Sequence, residues 1–385
     1  MGKTTDFEKE RKKYTLRKTI RRVFAVVFIA IFGIAVYALR FDIAAHGFGV
    51  LLSDTMALLV DHTGYPVEID SQPVSLTSVG RRAVLVTGNA LSVYNAAGNR
   101  VIHNRIAGTN THAQSAGRYL LTYVRGGYDL QVRSGETVVF AHRFDFPIHT
   151  ATVAPNGAIA VSTSAVGDQS LVTVFDANYT QQFMWVSSER IIYRLSLDAT
   201  AEHLAVGGVG LVGGALDSLV TVFEVATGNE YGSQGLNDAL LLSLDLLEDG
   251  EVTAVTDRGV HRISVKTKKE RSYSFEEENL TAFVVAEDGS TTLALGDYDQ
   301  GHVLTLVRLD TDAQPLARTK FNRNIKSLHI YEEDILAFLG DRAVRFSPTL
   351  ERMGITETPE AIHAQVISNK LYYATMQQIN RATIR

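Results

Sequence analysis

The sequence predicts an all-β propeller of eight blades, with seven as the alternative count, preceded by a single N-terminal transmembrane helix and a short amphipathic helix. Three observations carry this reading. The hexapeptide Ser-Leu-Val-Thr-Val-Phe occurs at 170–175 and again at 218–223, followed each time by an acid, Asp176 or Glu224. A match of that length, 48 positions apart, marks an internal repeat of blade size. Alternating apolar strands are separated by Gly, Asp or Asn turns about every ten residues. A basic segment followed by an uncharged apolar run opens the chain.

Residues 1–22 form the basic tail, with nine Lys/Arg against three Asp/Glu. Residues 23–39 (VFAVVFIAIFGIAVYAL) are 17 positions without a charge. At about 1.5 Å per residue they cover roughly 26 Å as a helix, close to the lower limit for a bilayer span. Arg11, Lys12, Lys13, Arg17, Lys18, Arg21 and Arg22 precede the run, and only Arg40 follows before Arg81. The positive-inside rule therefore puts the N-terminus in the cytoplasm and the C-terminal part outside. A cleaved signal peptide is the competing reading, with Val36-Tyr37-Ala38 as its site. The long apolar core and extended basic tail favour a retained anchor.

Within the linker, residues 40–66, Phe48, Leu51, Leu52, Met56, Leu59 and Val60 recur at helical spacing. That pattern predicts a short amphipathic helix ending near Gly64 and packing on the underside of the propeller. With almost no Lys/Arg it lacks the polar rim of a membrane-surface helix.

The body, residues 67–385, is long enough for a sizeable core. At 45% hydrophobic and 21% charged, the chain has the composition of a folded protein. Of its 37 Lys/Arg and 42 Asp/Glu, 28 and 39 lie after residue 22, a net charge of −11. So acidic a body is a poor match for a phosphate backbone, and no nucleic-acid partner is expected. The absence of cysteine excludes disulfides, thiolate metal sites and a Cys nucleophile.

Blade-like units begin near Ser75, Ala113, Thr150, Tyr193, Leu241, Thr281, Lys326 and Ala361. Pro155-Asn156-Gly157, Glu248-Asp249-Gly250 and Glu287-Asp288-Gly289 supply the positive φ that hairpins need. The last unit has room for only three strands, and residues 67–69 are placed to supply the fourth. Closing the ring this way removes the free sheet edges that would recruit other chains.

The basic tail, the 23–39 span, the Gly64-Tyr65-Pro66-Val67 lead-in and the divergent blades together resemble a membrane-anchored propeller family of Gram-positive bacteria, catalogued only as a domain of unknown function. The resemblance implies a fold and a location and brings no catalytic residues. WD40-like and quinoprotein-like propellers are more distantly similar, as is the eight-bladed lipoprotein propeller of outer-membrane assembly machinery. The chain departs from that lipoprotein in having no acceptor cysteine.

Residues that could carry chemistry are few. The eleven histidines form no HxH or HExxH spacing, so no metal is expected. The glycine-rich run 207–214 lacks GK[ST] and lies between two strands, where a long hairpin explains it. Asp297-Tyr298-Asp299 offers too few oxygens for Ca²⁺, and Glu276-Glu277-Glu278 reads as a solvated loop. No Gly-x-Ser-x-Gly elbow is present, and one tryptophan is too few for a quinone-dependent propeller. No cofactor and no catalytic residue are assigned.

What remains is the rim. Loops joining the outermost strand of one blade to the innermost of the next gather on one face, and here carry Arg105, His112, Asp145, His149, Glu189, Arg190, Arg194, Asn322, Arg323 and Lys326. A mixed ring of Arg, His and acids is a candidate surface for a protein partner in the cell envelope. The sequence thus points to a non-catalytic scaffold at the outer face of the cytoplasmic membrane. A ligand-binding or sensor protein is the alternative, and a cell-envelope enzyme using Asp145 or Glu189 a further one.

Overall fold

In the computed structural model the described residues are Val50 and 64–385, apart from 107–109, 237, 248–249, 265–266, 268, 276–277 and 297–303. The expected basic tail, membrane span and amphipathic helix lie outside the described residues, as does Asp297-Tyr298-Asp299.

The body is an eight-bladed propeller of four-stranded antiparallel sheets. The innermost strands are Pro73–Val79, Thr111–Ala116, Ile148–Val153, Ile191–Leu197, Leu241–Leu246, Asn279–Val285, Ser327–Tyr331 and His363–Ile367. They open blades 1 to 8 in that order, each within two residues of the position expected from the sequence. Every blade then runs outward through its second, third and fourth strands. Because successive strands alternate in direction, fourth-to-first and second-to-third connections share one face, here called upper. The tight first-to-second and third-to-fourth turns share the lower face.

Burial explains the sequence pattern of each strand. Second strands such as Ile159–Thr163, Val252–Thr256 and Asp334–Phe338 are buried at every position. Each is covered by the neighbouring blades on both faces, so its sequence is a continuous run rather than an alternation. Fourth strands lie at the perimeter, and Thr137–Arg143 is exposed at all but one position. The core is accordingly divided into eight apolar clusters, one at each junction between blades. Among the described residues the smallest joins blades 1 and 2, where Leu120 is the only fully buried member from blade 2.

The ring closes as expected. Val67–Glu68 pairs with Gln378–Thr383, Val67 opposite Ile379 and Glu68 opposite Gln378, and forms the outermost strand of blade 8. Tyr65 secures the lead-in: its ring meets Tyr372 edge-on at 5.1 Å, with the Arg381 guanidinium 5.2 Å over it. Gly64 N donates to the Ala97 carbonyl at 2.9 Å. Gly98, at φ +86°, has no room for a Cβ, which would lie 2.5 Å from the Gly64 carbonyl oxygen.

The repeated hexapeptide falls on the third strands of blades 3 and 4, Ser170–Phe175 and Ala215–Glu224. Its serines join blades. Ser170 Oγ accepts from Ile192 N at 2.9 Å, and Ser218 Oγ accepts from Leu241 N at 3.3 Å, each at the start of the next blade. Asp176 closes the following turn by accepting from the nitrogens of Asn178 and Thr180, both at 2.9 Å. Asn95 and Asp310 do the same after the third strands of blades 1 and 6.

Candidate partner-binding rim

All ten sequence-predicted residues lie toward the upper face. Arg105 ends the fourth strand of blade 1, Arg100–Arg105. His112, His149 and Arg194 lie near the upper ends of the innermost strands of blades 2, 3 and 4. Asp145, Glu189, Arg190, Asn322, Arg323 and Lys326 occupy connections between blades. Arg105, Asp145, Glu189, Asn322, Arg323 and Lys326 are exposed, whereas the other four are partly covered.

The covered four are engaged with the fold. His149 sits at a bulge between Ile148 and Thr150, which turns its ring toward the strands behind. Both ring nitrogens meet hydroxyls there, Nε2 at 3.0 Å from Ser164 Oγ and Nδ1 at 3.2 Å from Ser170 Oγ. Burial lowers the His149 pKa, consistent with a neutral imidazole in this seat. Tyr193 occupies the corresponding bulge in blade 4 and reaches Ser218 Oγ at 3.5 Å.

Arg194 donates from Nε to the Leu242 carbonyl at 2.8 Å and from Nη1 to the Tyr193 carbonyl at 2.9 Å. His112 stacks on Tyr123 at 5.4 Å. Burial lowers its pKa, and the positive charges of Arg125 and Arg194 lower it further. Arg125, exposed in a second-to-third connection, joins this group without having been singled out by the sequence reading.

Arg190 places Nη2 2.9 Å from Asp217 Oδ2, and both side chains are largely covered, at 17% and 15% exposure. Its Nη1 also lies 3.4 Å from Glu189 Oε2. Asp217 was missed because the pair is 27 positions apart and no local pattern announces it. Arg323 faces Asp341 at 3.6 Å. A hydrogen bond from Arg342, then the charges of Arg342 and Arg323, hold the Asp341 carboxyl below the usual range.

The glycine-rich run proves to be the second strand of blade 4. His203–Val212 and Ala215–Glu224 form a ten-residue hairpin turning at Gly213 and Gly214, with φ +60° and +86°. Gly208 and Gly210 leave space for the Arg190 side chain, and Gly207 for Leu241 and Arg194. Near the tip Leu211 is 74% exposed and Leu216, directly opposite, 42%. Among the described residues no three His, Asp or Glu side chains are grouped to hold a metal ion.

Three cavities lined by described residues open on this side. One of 520 Å³ lies between blades 1 and 2 and is lined by Arg105, and one of 270 Å³ between blades 3 and 4 is lined by Trp185, Glu189 and Arg190. The third, of 400 Å³, is lined by Asp70, His103 and, on its other flank, Arg105.

A family model described as "Family of unknown function (DUF5711)" matches residues 62–350. No curated protein matches the sequence. Among solved structures, a eukaryotic initiation factor is 10% identical, with 83% of this chain and 87% of that chain covered and a TM-score of 0.56. The Dos1 propeller is 11% identical over 83% of this chain and 94% of that one, with a TM-score of 0.55. BamB from Moraxella catarrhalis is 12% identical over 84% and 98%, with a TM-score of 0.54. At these identities the likeness is one of fold.

Proposed function

The chain belongs to the family of unknown function DUF5711, and from that premise we propose that it is a non-catalytic, membrane-tethered scaffold that holds a protein partner against its upper rim. The propeller is a fold commonly used for protein–protein interaction, which supports the reading by analogy. The single observation that carries it is the position of the lead-in. The chain joins the propeller at Gly64, bonded to the lower turn of blade 1 at Ala97. That turn lies on the lower face, opposite the upper one. The upper face presents Arg105, Asp145, Asn322, Arg323 and Lys326 as exposed side chains, with Leu211 and Leu216 as apolar contacts.

In this proposal residues 23–39 span the cytoplasmic membrane, the basic tail stays inside, and the acidic body stands outside. Arg190 and Arg194 support the rim from beneath, and the exposed residues make the contact.

Crosslinking in intact cells, followed by affinity purification and mass spectrometry, tests this. The full-length chain and an Arg318→Gln control should recover one stoichiometric partner that Asp145→Arg/Arg323→Glu loses. Recovery of the same proteins from all three would overturn the assignment of the upper rim.

A further inference from the structure

Blades 1 and 2 carry a charge opposite to the rest of the body. Residues 73–143 contain eight arginines, no lysine and two acids, whereas residues 144–385 hold 19 Lys/Arg against 32 Asp/Glu. Both acids of the basic sector are already engaged, Asp129 with Arg143 at 2.7 Å and Glu136 with Arg82 at 3.4 Å. Arg105 and Arg133 have no carboxylate partner among the described residues, and both line the 520 Å³ cavity between these blades, as does the Asp129–Arg143 pair.

Arg133 is half-buried, and its contacts are with neutral acceptors. Nε donates to Gln131 Oε1 at 3.2 Å and Nη1 to the Glu136 carbonyl at 3.0 Å. Asn104, its amide oriented with Oδ1 toward Arg133, accepts from Nη2 at 2.7 Å. These bonds fix the guanidinium plane and leave two of its five N–H groups without a partner among the described residues. A partly desolvated cation with no counter-charge is costly unless an anion completes it.

The cavity opens at the junction that holds the smallest apolar cluster among the described residues. Leu91, Ile106, Tyr123 and Leu130 supply its apolar lining. A volume of this order suits a small ligand rather than a chain segment.

We propose that the groove between blades 1 and 2 is a binding site for a small organic oxyanion, a carboxylate or phosphate monoester on an apolar body, held by Arg105 and Arg133. A guanidinium matches either group in two-point geometry, which explains a sector built from arginine without lysine. The groove shares Arg105 with the rim, whereas Asp145, Asn322, Arg323 and Lys326 lie outside it, so Asp145→Arg/Arg323→Glu tests the partner contact without touching this site.

Isothermal titration of the purified full-length chain with benzoate, phenyl phosphate and inorganic phosphate tests it. Saturable binding of benzoate or phenyl phosphate is expected, weakening with added salt. Loss of one charge-assisted contact in Arg105→Gln or Arg133→Gln should weaken it about tenfold or more. Arg318→Gln, on blade 6 and paired with Glu278, should bind as the parent does. The tighter of the two organic probes identifies the headgroup. Inorganic phosphate binding as tightly as phenyl phosphate overturns the apolar body. No saturable binding in the millimolar range, or unchanged binding in Arg105→Gln, whose side chain is exposed and dispensable for folding, overturns the site itself.

Discussion

Tyr65 donates its hydroxyl to the backbone carbonyl of Asn95 at 2.9 Å, joining the lead-in to the outer turn of blade 1. The closing strand, Val67–Glu68, is only two residues long and cannot hold the ring shut by backbone pairing alone. The aromatic contact beside it therefore carries much of the closure. Tyr65→Phe keeps the ring against Tyr372 and removes one hydrogen bond, at a cost of about 1 kcal/mol. Tyr65→Ala also removes the ring and should cost about 3 kcal/mol. Urea denaturation measures the difference, and limited proteolysis should cut Tyr65→Ala near residues 64–72 first. Equal midpoints for the two variants would show that the ring contributes nothing to closure.

Ser170 and Ser218 give the repeat its physical meaning. Each has a fully buried side chain and receives the backbone nitrogen of the following blade, Ile192 or Leu241. Alanine at either position leaves a buried N–H without a partner, which costs about 1–3 kcal/mol. Ser170→Ala should be the more damaging, because both of its contacts are shorter: 2.9 Å against 3.3 Å to the next blade, and 3.2 Å to His149 against 3.5 Å from Ser218 to Tyr193. Hydrogen exchange should quicken at Ile192 in one variant and at Leu241 in the other. Unchanged exchange at both would mean that the repeat is kept for its valines alone.

The blades were legible in the sequence because each depends on short-range signals. Turn residues mark the hairpins, and a second strand covered on both faces shows as an unbroken apolar run, as in Ile159–Thr163. Even the closing strand could be inferred, since the last unit was one strand short. The working state of the rim residues was not legible. Whether Arg190 is free depends on Asp217, 27 positions away across a hairpin, and whether His149 is free depends on a one-residue bulge. The arginine groove was hidden for the same reason. Its residues come from two blades, and its lack of counter-charge is visible only once Asp129 and Glu136 are seen to be engaged.

Two groups on innermost strands give stability a pH dependence of opposite sign. Burial pushes the His329 imidazole down to about 4, while its Nε2 lies 2.8 Å from Ser327 Oγ. The unfolded chain takes up this proton below the ordinary value of about 6.5 and the folded chain only near 4, so the contribution is lost as pH falls through that window. Burial raises the Asp245 pKa, despite the hydrogen bond from Ser243, so its protonated form is favoured in the fold and stability falls as pH rises through that shifted value. His329→Gln should flatten the decline between pH 6.5 and about 4, and Asp245→Asn should steepen the acid side. Denaturation midpoints across this range check both, and an unaltered profile in His329→Gln would exclude the imidazole as its source.

Gly207 separates the packing account of the glycine-rich strand from any account that needs a mobile loop. Its Cα faces blade 5, and an added Cβ would collide with Leu241 Cδ2 and lie 3.0 Å from Arg194 Cβ. Leu241 is fully buried and Arg194 is fixed by two carbonyls, so neither can retreat without loss. Gly207→Ala should therefore destabilise the protein by about 1–3 kcal/mol through overpacking. Gly214→Ala differs in kind: nothing lies within 4 Å, but φ is +86°, so the cost is about 1 kcal/mol of turn strain and stays at the hairpin tip. Thermal unfolding ranks the two, and hydrogen exchange at Leu241 should rise only in Gly207→Ala. A more stable Gly207→Ala protein would mean that the glycine is kept for movement, and the rigid-strand account of blade 4 would fail.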